Sequence, residues 1–292
     1  MASMRDIKRR KQSVESTQQI TKAMKLVSTV KLQRAKQRAE DSGEYFKCIF
    51  ATMNSILAKT KNINHPYLTA GKSDKKAVIM ITGNKGLAGG YNSNVIKLIT
   101  KDERFNKDNT VIYSIGRKGR DAMSRLGYEI KADYNEAIEE PLYADAMVIS
   151  KEVLSAFKAG EIGEIYLAYT FFKNTVSHIP TLLKLLPVDV DNADTVTEGS
   201  NEDNEVKAPM NFEPEDEEAL NMIIPKYVTS LIFGGLVEAV ASENGARMQA
   251  MDSATNNATE MIDHLSLLYN RARQSSITQE LTEIIAGADA IS

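Results

Sequence analysis

Residues 212–288 run FEPEDEEALNMIIPKYVTSLIFGGLVEAVASENGARMQAMDSATNNATEMIDHLSLLYNRARQSSITQELTEIIAGA. Apolar residues return every three or four positions, at Leu220, Ile224, Tyr227, Leu231, Met248, Met251, Met261, Leu265, Leu268 and Ala272, which marks one helical face. At about 1.5 Å per residue a helix of this length is roughly 110 Å long, far beyond the diameter of a compact domain. No single globular core covers such a face from end to end. The helix needs a partner helix, surrounding subunits, or both. Pro214 and the acidic run Glu213, Glu215, Asp216, Glu217 and Glu218 suit a helix N-terminus, where the missing N–H costs nothing and the macrodipole favours negative charge. Pro225, further on, is expected to kink the helix or to mark its true start.

The other end of the chain answers this demand. From residue 1 to about 60 the first glycine is Gly43, and the first proline, Pro66, comes later still. Met4, Ile7, Val14, Ile20, Met24 and Val27, and then Phe46, Ile49, Met53, Ile56 and Leu57, lie close to a heptad seam. Between them Ala35 and Ala39 leave a gap of small residues, suited to a helix that parts from its partner or passes a tight collar. Through Arg38 this segment holds eleven Lys or Arg against only Asp6 and Glu15. A basic rod of this kind fits phosphates, a membrane surface, solvent or an acidic protein partner. The first forty residues have no aromatic residue to stack on bases, which disfavours nucleic acid. They also lack the Trp or Phe face of a membrane-surface helix. A solvated coiled-coil face and an acidic partner remain as readings that charge alone does not separate.

Composition bounds the rest. The 292 residues are 26% charged and 42% hydrophobic with a net charge of −3, ordinary for a folded soluble chain with room for about two domains. Cys48 is the single cysteine, and His65, His178 and His264 are far apart, which argues against a disulfide framework and a metal cluster. The weakly charged run 227–241 contains Glu238 and is too short to span a bilayer, and the N-terminus has no apolar signal core. The expectation is a soluble chain that stays in the compartment where it is made.

Between the two rods the period changes. Residues 76–82, 110–116 and 128–134 read as strands, 91–105, 117–126 and 143–158 as helices, and 164–173 and 178–188 as a hairpin. Alternation of this kind predicts a small Rossmann-like α/β domain with a mostly parallel sheet. Residues 189–205 carry seven acidic residues and no basic one and read as a flexible exposed loop. The domain expectation is a coiled-coil helix over 1–60, an α/β domain over 75–188, an acidic loop over 189–208 and a second coiled-coil helix over 209–288.

The turn Gly83-Asn84-Lys85-Gly86-Leu87-Ala88-Gly89-Gly90 follows a strand and precedes a helix, the place of a nucleotide loop. A P-loop requires Lys and Ser or Thr after its last glycine, and here Tyr91 and Asn92 stand there. The dinucleotide fingerprint is not met either. A tight strand-to-helix turn is the favoured reading. A nucleotide-binding α/β protein with a coiled-coil tether is the alternative, with Lys85 as its essential residue. A nucleic-acid-binding coiled coil is a further rival.

Ser16-Thr17-Gln18-Gln19-Ile20-Thr21-Lys22-Ala23-Met24-Lys25-Leu26-Val27, with Ile277-Thr278-Gln279-Glu280-Leu281-Thr282-Glu283 and Gly287-Ala288, resembles the γ-subunit family of the rotary proton-translocating ATP synthase. The likeness takes in Gly86-Leu87-Ala88-Gly89-Gly90-Tyr91-Asn92 and covers the whole chain. It implies a long antiparallel coiled coil of the two terminal helices, with the α/β domain inserted between them as a foot. The implied partners are the α and β subunits of the hexameric head, the ε subunit and the membrane c-ring, with no cofactor, no catalytic or metal-binding residue and no membrane span. Implied rotor–stator contacts are Met24, Arg247, Arg273, Gln274, Thr278, Glu280, Thr282 and Glu283. Arg273 and Gln274 correspond to residues that hydrogen-bond the catch loops of the head. By the same resemblance Arg9, Arg10, Lys22, Lys25 and Lys31 are expected to form a basic collar facing the acidic loop of β, and Phe212 and Glu213 to face the ring. The implied place is the cytoplasmic side of a bacterial cell membrane, with an organellar inner membrane as the alternative.

Overall fold

A computed structural model describes residues 4–59, 65–69, 71, 73–188 and 216–289. The elements are α1 (Met4–Lys59), β1 (Lys76–Ile81), α2 (Tyr91–Thr100), β2 (Thr110–Ile115), α3 (Arg117–Arg125), β3 (Glu129–Asp133), α4 (Tyr143–Lys158), β4 (Glu164–Phe172), β5 (His178–Leu186) and α5 (Asp216–Asp289). Periodicity alone thus placed every strand and helix of the middle segment to within a few residues. Only α2 falls well short of its expected end, at Thr100, where Asp102 takes Arg104 as its partner. The expected acidic loop, and Phe212 and Glu213, lie outside the described residues.

The chain divides into two compact units, Lys31–Ala246 and Met1–Val30 with Arg247–Ser292. The expected boundaries at 75 and 188 enclose the sheet, but the larger unit also takes in the second half of α1 and the first part of α5. Its five-stranded sheet has the order β3-β2-β1-β4-β5. All neighbours are parallel except β4 and β5, which form the expected hairpin. Successive side chains of β1 alternate between faces. Val78 and Met80 join Val95 and Ile99 of α2 and Met123 of α3 in one core. Ala77, Ile79 and Ile81 join Ile149 and Val153 of α4 and Leu220, Ile224, Val228, Ile232 and Leu236 of α5 in the other. Both faces of the sheet are covered, which is why β1 is apolar at nearly every position.

The stripe Leu220, Ile224, Val228, Ile232 and Leu236 makes the start of α5 a core helix of the α/β unit, each side chain contributing about 2 kcal/mol on burial. An 18-residue window of α5 reaches a mean hydropathy of 1.4, long and apolar enough by composition to cross a membrane. Packing of this stripe on the sheet accounts for that apolarity. The helix runs through Pro225 from Asp216, so the proline does not mark its start. Rings of three helices tie this side of the unit together: Tyr143 of α4 lies edge-on to Tyr45 of α1 and to Phe233 of α5.

The smaller unit is a pair of antiparallel helical segments. Gln18 Nε2 donates to Thr259 Oγ1 at 2.8 Å, the hydroxyls of Thr21 and Thr255 lie 2.8 Å apart, and Lys25 Nζ donates to Asp252 Oδ1 at 2.6 Å. As the number rises on one helix it falls on the other, which fixes the direction.

Candidate functional site

The seam of this pair differs from the one read from apolar spacing. On α1 the inward positions are Ile7, Lys11, Val14, Gln18, Thr21, Lys25 and Ser28, an alternation of four and three residues that is a heptad register. Thr21 is 8% exposed and Ser28 2%, whereas Ile20 and Val27, expected inside, are 57% and 58% exposed. Met4 and, on α5, Met261 are likewise exposed. From Ile20 onward the α1 seam is one residue away from the apolar one, whereas Ile7 and Val14, and Met251 and Leu265 on α5, lie inward as expected. Hydrogen bonds to Thr255 and Thr259 and an ion pair to Asp252 satisfy the polar groups it encloses, which makes their burial tolerable. Leu32 and Ala35, in the larger unit, are also buried, where apolar spacing left only a gap of small residues.

This register leaves Ile20, Leu26, Val27 and Val30 as large apolar side chains on the outside of α1. On α5 every residue from Ile277 to Ala288 is exposed, including Leu281, Ile284 and Ile285. The smaller unit thus exposes four large apolar side chains on α1 while its seam mixes polar Thr21 and Ser28 with apolar Met251, Ala258 and Leu265, an arrangement that leaves apolar surface for a partner.

The implied contact residues fall into three groups. Met24 is half-buried beside the seam, as is Arg247 at the start of the α5 segment. Arg273, Gln274, Thr278, Glu280, Thr282 and Glu283 are all exposed on the outer part of α5. There Thr282 Oγ1 donates to Thr278 O at 2.8 Å, and Gln279 Nε2 donates to Glu283 Oε1 at 3.0 Å, contacts that stay within the helix. Of the collar, Arg9, Arg10, Lys22 and Lys31 are exposed, while Lys25 reaches inward to Asp252. Sequence charge did not reveal that use of Lys25, because Asp252 lies 227 residues away.

The glycine-rich turn has a settled geometry. Asn92 binds it from within α2, its Oδ1 accepting the Gly83 N–H at 2.8 Å and its Nδ2 donating to Lys85 O at 3.4 Å. Asn84 Oδ1 accepts the Arg117 N–H at 3.0 Å and Asn84 Nδ2 donates to Asn135 O at 2.8 Å. The Lys85 side chain is exposed. Against Gly83 lies the carboxyl group of Glu243 from α5: a side-chain carbon at position 83 would stand 2.6 Å from its Oε1. An acidic group of the chain itself therefore stands where a nucleotide phosphate would approach, which disfavours the nucleotide-binding reading.

Two acidic residues of α5 escaped the sequence reading as parts of the site. Glu243 is 8% exposed. Glu238 is pushed up to about 7 by burial, against which the Phe172 N–H is the one opposing contact. Its Oε2 has no hydrogen-bond partner among the described residues. Only an unexpected acid on a buried helical face could have flagged them, and that face was read as shaft.

Among the described residues, no group of three or more His, Cys, Asp or Glu could hold a metal ion.

A family model described as ATP synthase matches residues 3–291. The ATP synthase gamma chain of Lachnoclostridium phytofermentans is 65% identical over 291 residues, all of both chains. A gamma chain described as sodium ion specific, from Acetobacterium woodii, is 41% identical over 99% of each chain. A chain in a structure of the Euglena gracilis mitochondrial ATP synthase superposes with a TM-score of 0.70 at 20% identity, over 99% of this chain and 94% of that one, a likeness of fold.

Proposed function

We propose how this chain works from the premise that it belongs to the ATP synthase gamma-chain family: it is the central-stalk subunit of the complex, whose catalytic sites lie elsewhere, and its paired helices carry torque. The observation that supports this most directly is that the helix pair, held in register by hydrogen bonds across its seam, leaves large apolar side chains on its outer surface. A seam joined by hydrogen bonds keeps two helices in one register, and the exposed Ile20, Leu26, Val27 and Val30 require a surrounding protein surface.

The surrounding surface is the hexamer of α and β subunits. Met24, Arg247, Arg273, Gln274, Thr278, Glu280, Thr282 and Glu283 are its contacts, with Arg273 and Gln274 on the catch loops. Arg9, Arg10, Lys22 and Lys31 form a sliding electrostatic contact with an acidic loop of β, since a contact without fixed geometry does not lock. Lys25, half-buried and paired with Asp252, sits at the inner margin of that collar. The α/β unit is the foot, with ε and the membrane c-ring as partners and Phe212 and Glu213 toward the ring. The complex stands on the cytoplasmic side of a bacterial membrane. Ion flow turns the ring, the foot follows, and the asymmetric shaft forces the β sites in turn through states of different nucleotide affinity. Coupling is the free energy delivered by differential contacts at each angle. The Acetobacterium relative is described as sodium ion specific, so a gamma chain of this type serves with more than one coupling ion.

The test is co-expression with α and β subunits. An ATPase complex whose activity stops when engineered cysteines join the outer part of α5 to β, and resumes on reduction, is the expected result. Undiminished activity in the cross-linked complex would overturn the rotor's role.

A further inference from the structure

We infer that the crevice where an open α/β sheet usually takes its ligand serves in this chain as the mount of α5, with Glu243 as the positioning residue; the inference rests on the torque-carrying role proposed above. The strand order changes direction at β1, since β2 and β3 lie on one side of it and β4 and β5 on the other. Ligands of open α/β sheets sit beyond the carboxyl ends of the strands at such a point. In this chain consecutive residues of α5 occupy that place.

Glu243 lies against Gly83, just past the end of β1, so closely that a side chain there would displace its carboxyl group: a carbon at position 83 would be 2.6 Å from Oε1 and 2.7 Å from the carboxyl carbon. Ser242, fully buried, donates to Thr170 O near the end of β4 at 3.0 Å. Gly245 brings the helix against His178 at the start of β5, where an added carbon would be 2.5 Å from Nε2. Three strands are thus met within about one helical turn.

The seat itself is braced. Gly83 donates to Asn92 on α2, and its carbonyl accepts the Lys118 N–H on α3 at 3.2 Å. Asn84 holds Arg117 and Asn135. The apolar stripe from Leu220 to Leu236 binds α5 to the sheet strongly but without direction, because apolar contact depends on area and little on angle. A hydrogen bond and a carboxyl group in a shaped seat depend on both. Residues 242–245 are also the last stretch of α5 within the α/β unit before Arg247. Resistance to twist is concentrated there.

The assembled ATP synthase, its head fixed to a surface and a bead on the membrane ring, tests this by the angular variance during pauses. Glu243→Ala raises that variance about twofold, because a polar group held in a shaped seat is lost. Glu243→Gln keeps the shape of the side chain and restores the parent value, and Glu260→Ala, at an exposed position of α5, leaves it unchanged. A role confined to stability would lower the yield of complex and leave the variance of rotating molecules alone, which overturns the mount. Should Glu243→Ala fail to assemble, Ser242→Ala carries the same two outcomes. A parent enzyme that does not rotate overturns the role proposed above; a rotating parent with an unchanged variant overturns only the mount.

Discussion

Thr21 and Thr255 face each other across antiparallel helices with 2.8 Å between their hydroxyl oxygens, at seam positions that a coiled coil ordinarily fills with apolar side chains. Each has a second option in its own helix, Thr21 toward Gln18 O and Thr255 toward Met251 O. One proton must be given across the seam, so the pair couples the helices and records their register.

Replacing either threonine alone with valine should destabilise the pairing by about 1 kcal/mol, while the double replacement should be near neutral, because two apolar groups leave no hydroxyl unmatched. A double-mutant cycle on thermal unfolding measures the coupling. Additive effects would mean that the hydroxyls do not interact.

The Lys25 and Asp252 side chains are 41% and 48% exposed, so their ion pair contributes under about 1 kcal/mol. Asp252→Asn should therefore cost little stability. Asp252→Lys should cost more, and the added charge swap Lys25→Asp should recover it, with the recovery shrinking in high salt. Loss of the same size at all salt concentrations would assign Lys25 to packing instead.

Glu238 has its folded pKa raised from 4.5 to about 7 by burial. A carboxyl group shifted upward binds more protons in the folded state than in the unfolded state between these values. Stability should then fall as pH rises from about 4.5 through 7, by a total of roughly 3 kcal/mol. Glu238→Gln should remove this dependence and slow hydrogen exchange of the surrounding α5 segment at pH 8 far more than at pH 5. Equal slowing at both values would show that Glu238 keeps an ordinary pKa.

Ile284 and Ile285 are 68% and 61% exposed near the end of α5. If they turn within an apolar bearing, Ile284→Asp with Ile285→Asp should reduce assembly or turnover by roughly tenfold or more, since an unpaired charge is costly in such a setting. Normal assembly and turnover in this variant would remove the bearing.

The α/β unit was legible because its signals are local. A strand such as β1 announces itself by a short apolar run, and Gly127 and Gly160 close α3 and α4 where the chain needs a positive φ. The implied contacts from Arg273 to Glu283 came from a family likeness in a continuous stretch, and the structure places them together on an exposed part of α5. Glu243, Ser242 and Gly83 were not legible, because their relationship spans 160 residues of sequence and rests on a fold that no short window contains.

Sequence alone determined that two long helices flank an α/β segment, since helical and strand periods are properties of neighbouring residues. It also carried the family, through long terminal motifs. Only the tertiary structure decided which side of each helix faces inward. Apolar spacing pointed to Ile20 and Val27, but a seam is defined by what the partner offers, and here Thr255, Thr259 and Asp252 offer hydrogen bonds to Gln18, Thr21 and Lys25. The same reason divides α5. Its apolar residues look alike along its length, yet Leu220 to Leu236 meet a sheet while Ile284 and Ile285 are exposed.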